Sequence, residues 1–204
     1  MSGAVRIDVE TDPTPLVLSL AKVLLESADL PEHRELFPGL SGAVALRSGI
    51  DAQAATLSFA DGGVRVDHGV APGLEAIPLV PYAEYLLTAT PDPLAEAVAA
   101  LLNPPLPDWR DAAASFWSAN EGSEGFPEEL RVVCSTEEQE IRFGQGSEAG
   151  AAYEVHGPAE ALAATFSGRG DSFLFALATG VTVVGGVGQL SAMCGAHWKV
   201  RFGG

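Results

Sequence analysis

The stretch GVTVVGGVGQLSAMCG, residues 180–195, sets a β-branched run, a glycine cluster and a helix-like segment in the order of a dinucleotide-binding fingerprint. That fingerprint needs GxGxxG at a strand-to-helix turn. It then needs about 20 further residues to reach an acid that holds the ribose. Here Gly186 and Gly188 are followed by Ser191 where the third glycine would stand, and only thirteen residues remain after it. The rest of a nucleotide-binding unit has no room. A phosphate loop is equally absent, because no GxxxxGK followed by Ser or Thr occurs in the chain. Read as strand, glycine turn and helix, the stretch is the end of a small α/β unit.

Composition sets the frame around it. The chain has 204 residues, 47% hydrophobic and 19% charged, which is enough apolar material for a sizeable interior. That length suits one large domain or two small ones. The formal charge is −16, with two lysines, Lys22 and Lys199, and nine scattered arginines. Nucleic-acid binding relies on clustered Lys and Arg, so no nucleic-acid partner is expected. The same lack of a basic run argues against docking on anionic membranes, and no apolar run reaches the ~18 residues of a membrane span. The acidic surface is explained by solubility alone. The opening MSGAVRIDVETDPTP has acid where a leader peptide needs base, so a cytoplasmic location is expected. Cys134 and Cys194 are the only cysteines and lie in no metal-binding spacing. Whether they pair stays open.

Along the chain, TPLVLSLAKVLLESAD (14–29) reads as an amphipathic helix with Thr14 as N-cap and Pro15 at the first helical position. SGAVALRS (41–48), AATLSFA (54–60) and GVRVDHG (63–69) alternate with period 2, and Asp61-Gly62-Gly63 is a hairpin signal. YAEYLLTA (82–89), DPLAEAVAALLN (92–103) and DWRDAAASFWSAN (108–120) then read as helices, with the breaker Pro104-Pro105-Leu106-Pro107 before the last. Beyond EGSEGFPEE (121–129), ELRVVCS (129–135) and EIRFGQG (140–146) form a second hairpin, and AAYEVHG (151–157) a further strand. PAEALAATFSG (158–168) and DSFLFALATG (171–180) are helices, the latter opened by Asp171 and Ser172. VTVV (181–184) as strand, GQLSAMCG (188–195) as helix and HWKVRF (197–202) as strand complete the reading.

The two halves rhyme. Each has a hairpin leading to a segment with Ala-Glu-x-Leu: Ala83, Glu84 and Leu86 in one, Ala159, Glu160 and Leu162 in the other. The expected fold class is α+β, an antiparallel or mixed sheet with helices on one face, in two pseudo-repeated units. The expected division is 1–120 for an N-terminal helix plus the first unit, 121–129 for a linker, and 130–204 for the second unit.

In its element order, AAYEVHGPAEALAATFSG, then RGDSFLFALATG, then VTVVGGVGQLSAM, the C-terminal half resembles the sterol carrier family. Gly168 matches the glycine that ends the family's first helix of this region. Phe173, Phe175 and Leu177 match its short aromatic helix, Gly180 and Gly185 or Gly186 bracket its strand, and Leu190 and Met193 match its last helix. The first half is similar through Phe37-Pro38-Gly39-Leu40 and FADGGVRVDHG. It departs at Pro104-Pro105-Leu106-Pro107 and DWRDAAASFW, which replace the family's glycine-flanked strand, and HWKVRFGG follows the last helix. The resemblance implies an internal hydrophobic cavity, and the reading preferred on it is a non-enzymatic carrier. Its lining would be Phe166, Phe173, Phe175, Leu177, Leu190, Met193 and Trp198, with Phe116 and Trp117 as a lid. The expected partner is an apolar small molecule, a fatty acid, a sterol or similar, with no cofactor and no metal.

Two other readings stay open. One is an enzyme using the same cavity, with His68, His156 or His197 as general acid/base. His68 and His156 each precede a glycine at a strand end, but there is no HxH or HExxH spacing and no GxSxG elbow. The other is a structural interaction module, or a homodimer, whose surplus apolar faces a partner covers.

Overall fold

The computed structural model describes residues 5–81, 85–87, 92–144, 152–169 and 172–203. The chain forms two compact units that divide between Pro105 and Leu106. The division therefore falls inside the proline-rich breaker. The stretch 121–129, read as a linker, lies within the second unit, and so does the helix that was assigned to the first.

The first unit contains β1 (Ile7–Val9), α1 (Pro15–Asp29), α2 (Pro31–Arg34), a 3-10 turn at Phe37–Gly39, β2 (Gly42–Ser48), β3 (Ala54–Ala60), β4 (Gly63–His68), β5 (Ala76–Pro81), β6 (Tyr85–Leu87) and α3 (Pro93–Leu102). Its six strands run in the order β1-β4-β3-β2-β5-β6. The β3–β4 hairpin turns at Asp61 and Gly62, both at positive φ (52° and 72°), as a two-residue Asp-Gly turn demands. Thr14 caps α1, its Oγ1 accepting from the Val17 N–H at 3.4 Å. In register, Val44 faces Leu57, Leu57 faces Val66 and Phe59 faces Val64, so one face of the sheet is continuously apolar. That face packs against Leu16, Leu20, Leu24, Val98 and Leu101 of α1 and α3. Burying such a stripe is what holds the helices to the sheet.

The second unit contains α4 (Trp109–Asn120), β7 (Glu129–Cys134), β8 (Gln139–Gly144), β9 (Tyr153–Gly157), α5 (Ala159–Phe166), α6 (Phe173–Ala178), β10 (Thr182–Val184) and α7 (Val187–Arg201). Its sheet runs β10-β9-β7-β8. Leu130, Val132 and Cys134 of β7 alternate inward beside Tyr153 and Val155 of β9, and helices α4 to α7 cover them. The α+β class with mixed sheets and helices on one face is thus realised in both units.

The sheets also share a pattern. In each, a hairpin's first strand pairs in parallel with a third strand, which pairs antiparallel with a fourth: β2, β3, β5 and β6 in one, β7, β8, β9 and β10 in the other. The helices do not follow suit. The Ala-Glu-x-Leu rhyme fails, because Leu86 stands in strand β6 whereas Leu162 is on helix α5. Ala83 and Glu84 lie outside the described residues.

Two local expectations are corrected. Residues 85–87 of the predicted helix 82–89 are a strand, pairing with Leu79–Pro81. Residues 197–201 of the predicted strand 197–202 are the end of α7, which runs unbroken through Gly195. Trp198, Val200 and Phe202 mimic strand alternation, but the inward positions are Met193, Ala196, His197 and Arg201, spaced as a helix requires. Strands β1 and β5 carry too little pattern to be read, one being three residues long and the other holding Pro78 and Pro81.

Candidate functional site

The interior of the second unit is the candidate site, and Tyr153 is its centre. At the start of β9, in register with Leu130 of β7, this side chain points inward and is fully buried. The main chain at Gly185 lies on its ring: a Cβ at 185 would stand 2.1 Å from Cδ2 and 2.4 Å from Cε2. The Tyr153 hydroxyl has no hydrogen-bond partner. Burial pushes its pKa up to about 12, and Cys194 on α7 adds to the rise. Burial also raises the Cys194 thiol, so both groups are held neutral at physiological pH.

The glycine cluster of 180–195 now has a physical reading. Gly185 is required by the Tyr153 ring, Gly180 turns the chain at φ 114°, and the Gly186 N–H donates to Gln189 Oε1 at 2.9 Å to start α7. It is a packing and capping device. Neither cysteine is bonded to the other: Cys134 is buried with its Sγ 3.3 Å from Thr136 Oγ1, and Cys194 is half-buried.

Most of the predicted lining residues converge here. Phe116, Phe166, Phe173 and Met193 are fully buried in one cluster, with Trp117, Leu177 and Leu190 packed against it. Phe116 meets Phe166 edge-on at 5.2 Å between ring centroids, and Trp117 stacks on Phe143 at 5.8 Å. Phe116 and Trp117 are therefore part of the wall, with Phe116 inside and Trp117 at its margin. Phe175 is half-buried on α6. Trp198 turns outward, 39% exposed and stacked on Phe202 at 5.3 Å.

Two features of this core carry no signature in the sequence. Tyr153 reads as an ordinary strand residue, and Trp109 as the first residue of a helix. Both bury a polar atom without a partner, the Tyr153 hydroxyl and Trp109 Nε1. Such groups are uncommon in folded interiors.

The histidines have separate roles. His197 is fully buried, and its Nδ1 must carry the proton because it donates to the Thr165 carbonyl at 2.9 Å. His156 lies on the outer face of the second sheet, its Nε2 2.8 Å from Glu154. There Arg131 and Arg142 stand directly opposite on β7 and β8, an arrangement of like charges offset by Glu140 and Glu154, which both bind Arg131. In the first unit, His68 at the end of β4 is held by Glu10. The carboxylate takes the His68 main-chain N–H at 2.9 Å and meets Nδ1 at 2.5 Å, which raises the imidazole pKa. Among the described residues no three His, Cys, Asp or Glu side chains group as metal ligands, and no helix is long and apolar enough to cross a membrane.

Comparisons of the chain with protein-family models, with curated proteins and with solved structures find no match.

Proposed function

We propose that the chain is a non-enzymatic binding protein of the carrier kind, its second unit holding an apolar small molecule that has one polar end, such as a fatty acid or a sterol. The observation that supports this most directly is the unpartnered Tyr153 hydroxyl inside an interior built from Leu130, Val132, Phe166, Phe173 and Met193. Small-molecule sites are mostly apolar, with a few polar groups that fix orientation. A buried hydroxyl without a partner costs about 1–3 kcal/mol, which a ligand oxygen would recover.

The aromatic side chains fill this interior themselves. Access requires a helix to move, and α6 is the shortest of the covering layer. It turns only Phe173 and Ala176 fully inward. Gly168 and Gly180 flank it at φ 72° and 114°, so the chain on either side already uses conformations open to glycine.

The test is gentle-ionisation mass spectrometry of the full chain as purified, followed by organic extraction, with a fluorescent fatty acid titrated into the same preparation. The expected result is a one-to-one apolar adduct and saturable uptake of the probe, both weakened in Tyr153→Phe. A bare mass together with no uptake of the probe overturns the reading.

A further inference from the structure

The second sheet has two edges, and they differ in kind. On β8 the exposed edge carries Glu140 and Arg142. Charged side chains of this sort are how sheet proteins discourage edge-to-edge pairing. On β10 there is none. Thr182, Val183 and Val184 pair only with β9 among the described residues. Val184 is 59% exposed, and Val187, just past Gly185 and Gly186, is 84% exposed. In an antiparallel edge strand every second residue directs its N–H and C=O away from its partner.

The surrounding sequence sharpens the contrast. Residues 172–198 contain no Asp, Glu, Lys or Arg, although the chain holds 27 acidic and 11 basic residues. On a surface of net charge −16, two copies approaching elsewhere bring like charges together. At this edge they do not. An uncharged, apolar strand is complementary to itself, which is what a two-fold interface requires.

We propose that β10 is a self-association edge: two copies of the chain pair β10 against β10 antiparallel about a two-fold axis near Val183, joining their second-unit sheets into one of eight strands, with Val184 and Val187 covered at the seam. The outer charge network does not oppose the pairing, because Glu154, one strand inward and opposite Val184, is already engaged by Arg131 and His156. This inference is independent of the carrier reading.

Sedimentation velocity and light scattering of the full chain test it. At about 100 μM the expected mass is twice that of one chain, which is 21.1 kDa. Salt should tighten the dimer several-fold, because it screens the repulsion between the acidic bodies while leaving an apolar seam intact. Val184→Lys and Val187→Glu change exposed positions, and each should weaken association at least about tenfold. Their far-UV circular dichroism should stay unchanged, as should their melting temperature at a dilution where the parent chain is monomeric. A monomer at about 100 μM, with or without added salt, overturns the proposal, as does a dimer that both variants leave intact.

Discussion

Gly185 lies against the Cδ2–Cε2 side of the Tyr153 ring so closely that no side chain fits between them: a Cβ there would sit 2.1 Å from Cδ2. The neighbour is a fully buried aromatic ring. Relief would mean moving β9 or the start of α7. Gly195, in the middle of α7, has open space where its Cβ would stand.

The two glycines should therefore respond in opposite directions to alanine. Gly185→Ala overpacks the core and should destabilise the chain by about 2 kcal/mol or more. Gly195→Ala removes the helix cost of glycine and should stabilise it by about 1 kcal/mol. Urea denaturation of both variants checks this, and equal effects would contradict the packing described for Gly185.

Phe116 joins α4 to α5 through its edge contact with Phe166 and lies 6.0 Å from Phe126 between ring centroids. Truncating it to alanine should cost about 3–5 kcal/mol, the usual range for a fully buried phenylalanine. Trp198→Ala should cost far less, since that ring is partly in water. Thermal unfolding of the two variants side by side gives the comparison.

How legible this was depended on whether local chemistry and tertiary contacts agreed. Thr14, Asp61-Gly62 and the alternation in 54–60 name their own structures, because each states a cap, a turn or a half-buried strand within a few residues. The last helix was misread at 197–202, since Gly195 looks like a terminator and only packing against α5 distinguishes His197 and Arg201 as inward. Of the candidate site, its aromatic residues were visible as apolar positions on helices. Tyr153 was not, because its lack of a partner is a property of what surrounds it.

Glu10 and His68 provide a pH-dependent clasp on strand β1. Hydrogen bonding to Glu10 raises the His68 pKa above its ordinary 6.5, with the Glu10 charge and that of Asp67 acting in the same direction. Asp67 is itself paired with Arg65 at 2.9 Å. A raised folded-state pKa means that the contribution is complete below pH 6.5 and is lost as pH rises through the folded value. Nuclear magnetic resonance titration of the His68 ring should give a midpoint above 6.5, falling toward it in Glu10→Gln. Protection factors of the Ile7–Val9 amides, which remove the base-catalysed rise in intrinsic exchange, should fall over the same rise in pH. A midpoint unmoved by Glu10→Gln would contradict the clasp.

Tyr153→Phe separates a structural role from a binding one. The ring fills the space beneath Gly185, and phenylalanine keeps that ring. Only the hydroxyl goes, and it has no partner to leave behind. Removing it should raise stability by about 1 kcal/mol, because a buried polar group no longer has to be stripped of water. Ionisation reports the same environment: burial raises the Tyr153 pKa to about 12, so the absorbance change assigned to it by difference with Tyr153→Phe should have its midpoint above the ordinary 10.0 of a tyrosine. If the hydroxyl also orients a ligand, the more stable variant must hold that ligand less well. Greater stability with weaker uptake of a fatty-acid probe is the expected pair of results. Greater stability with unchanged uptake would place the ligand away from Tyr153, and lower stability would mean that the hydroxyl has a partner in the folded chain.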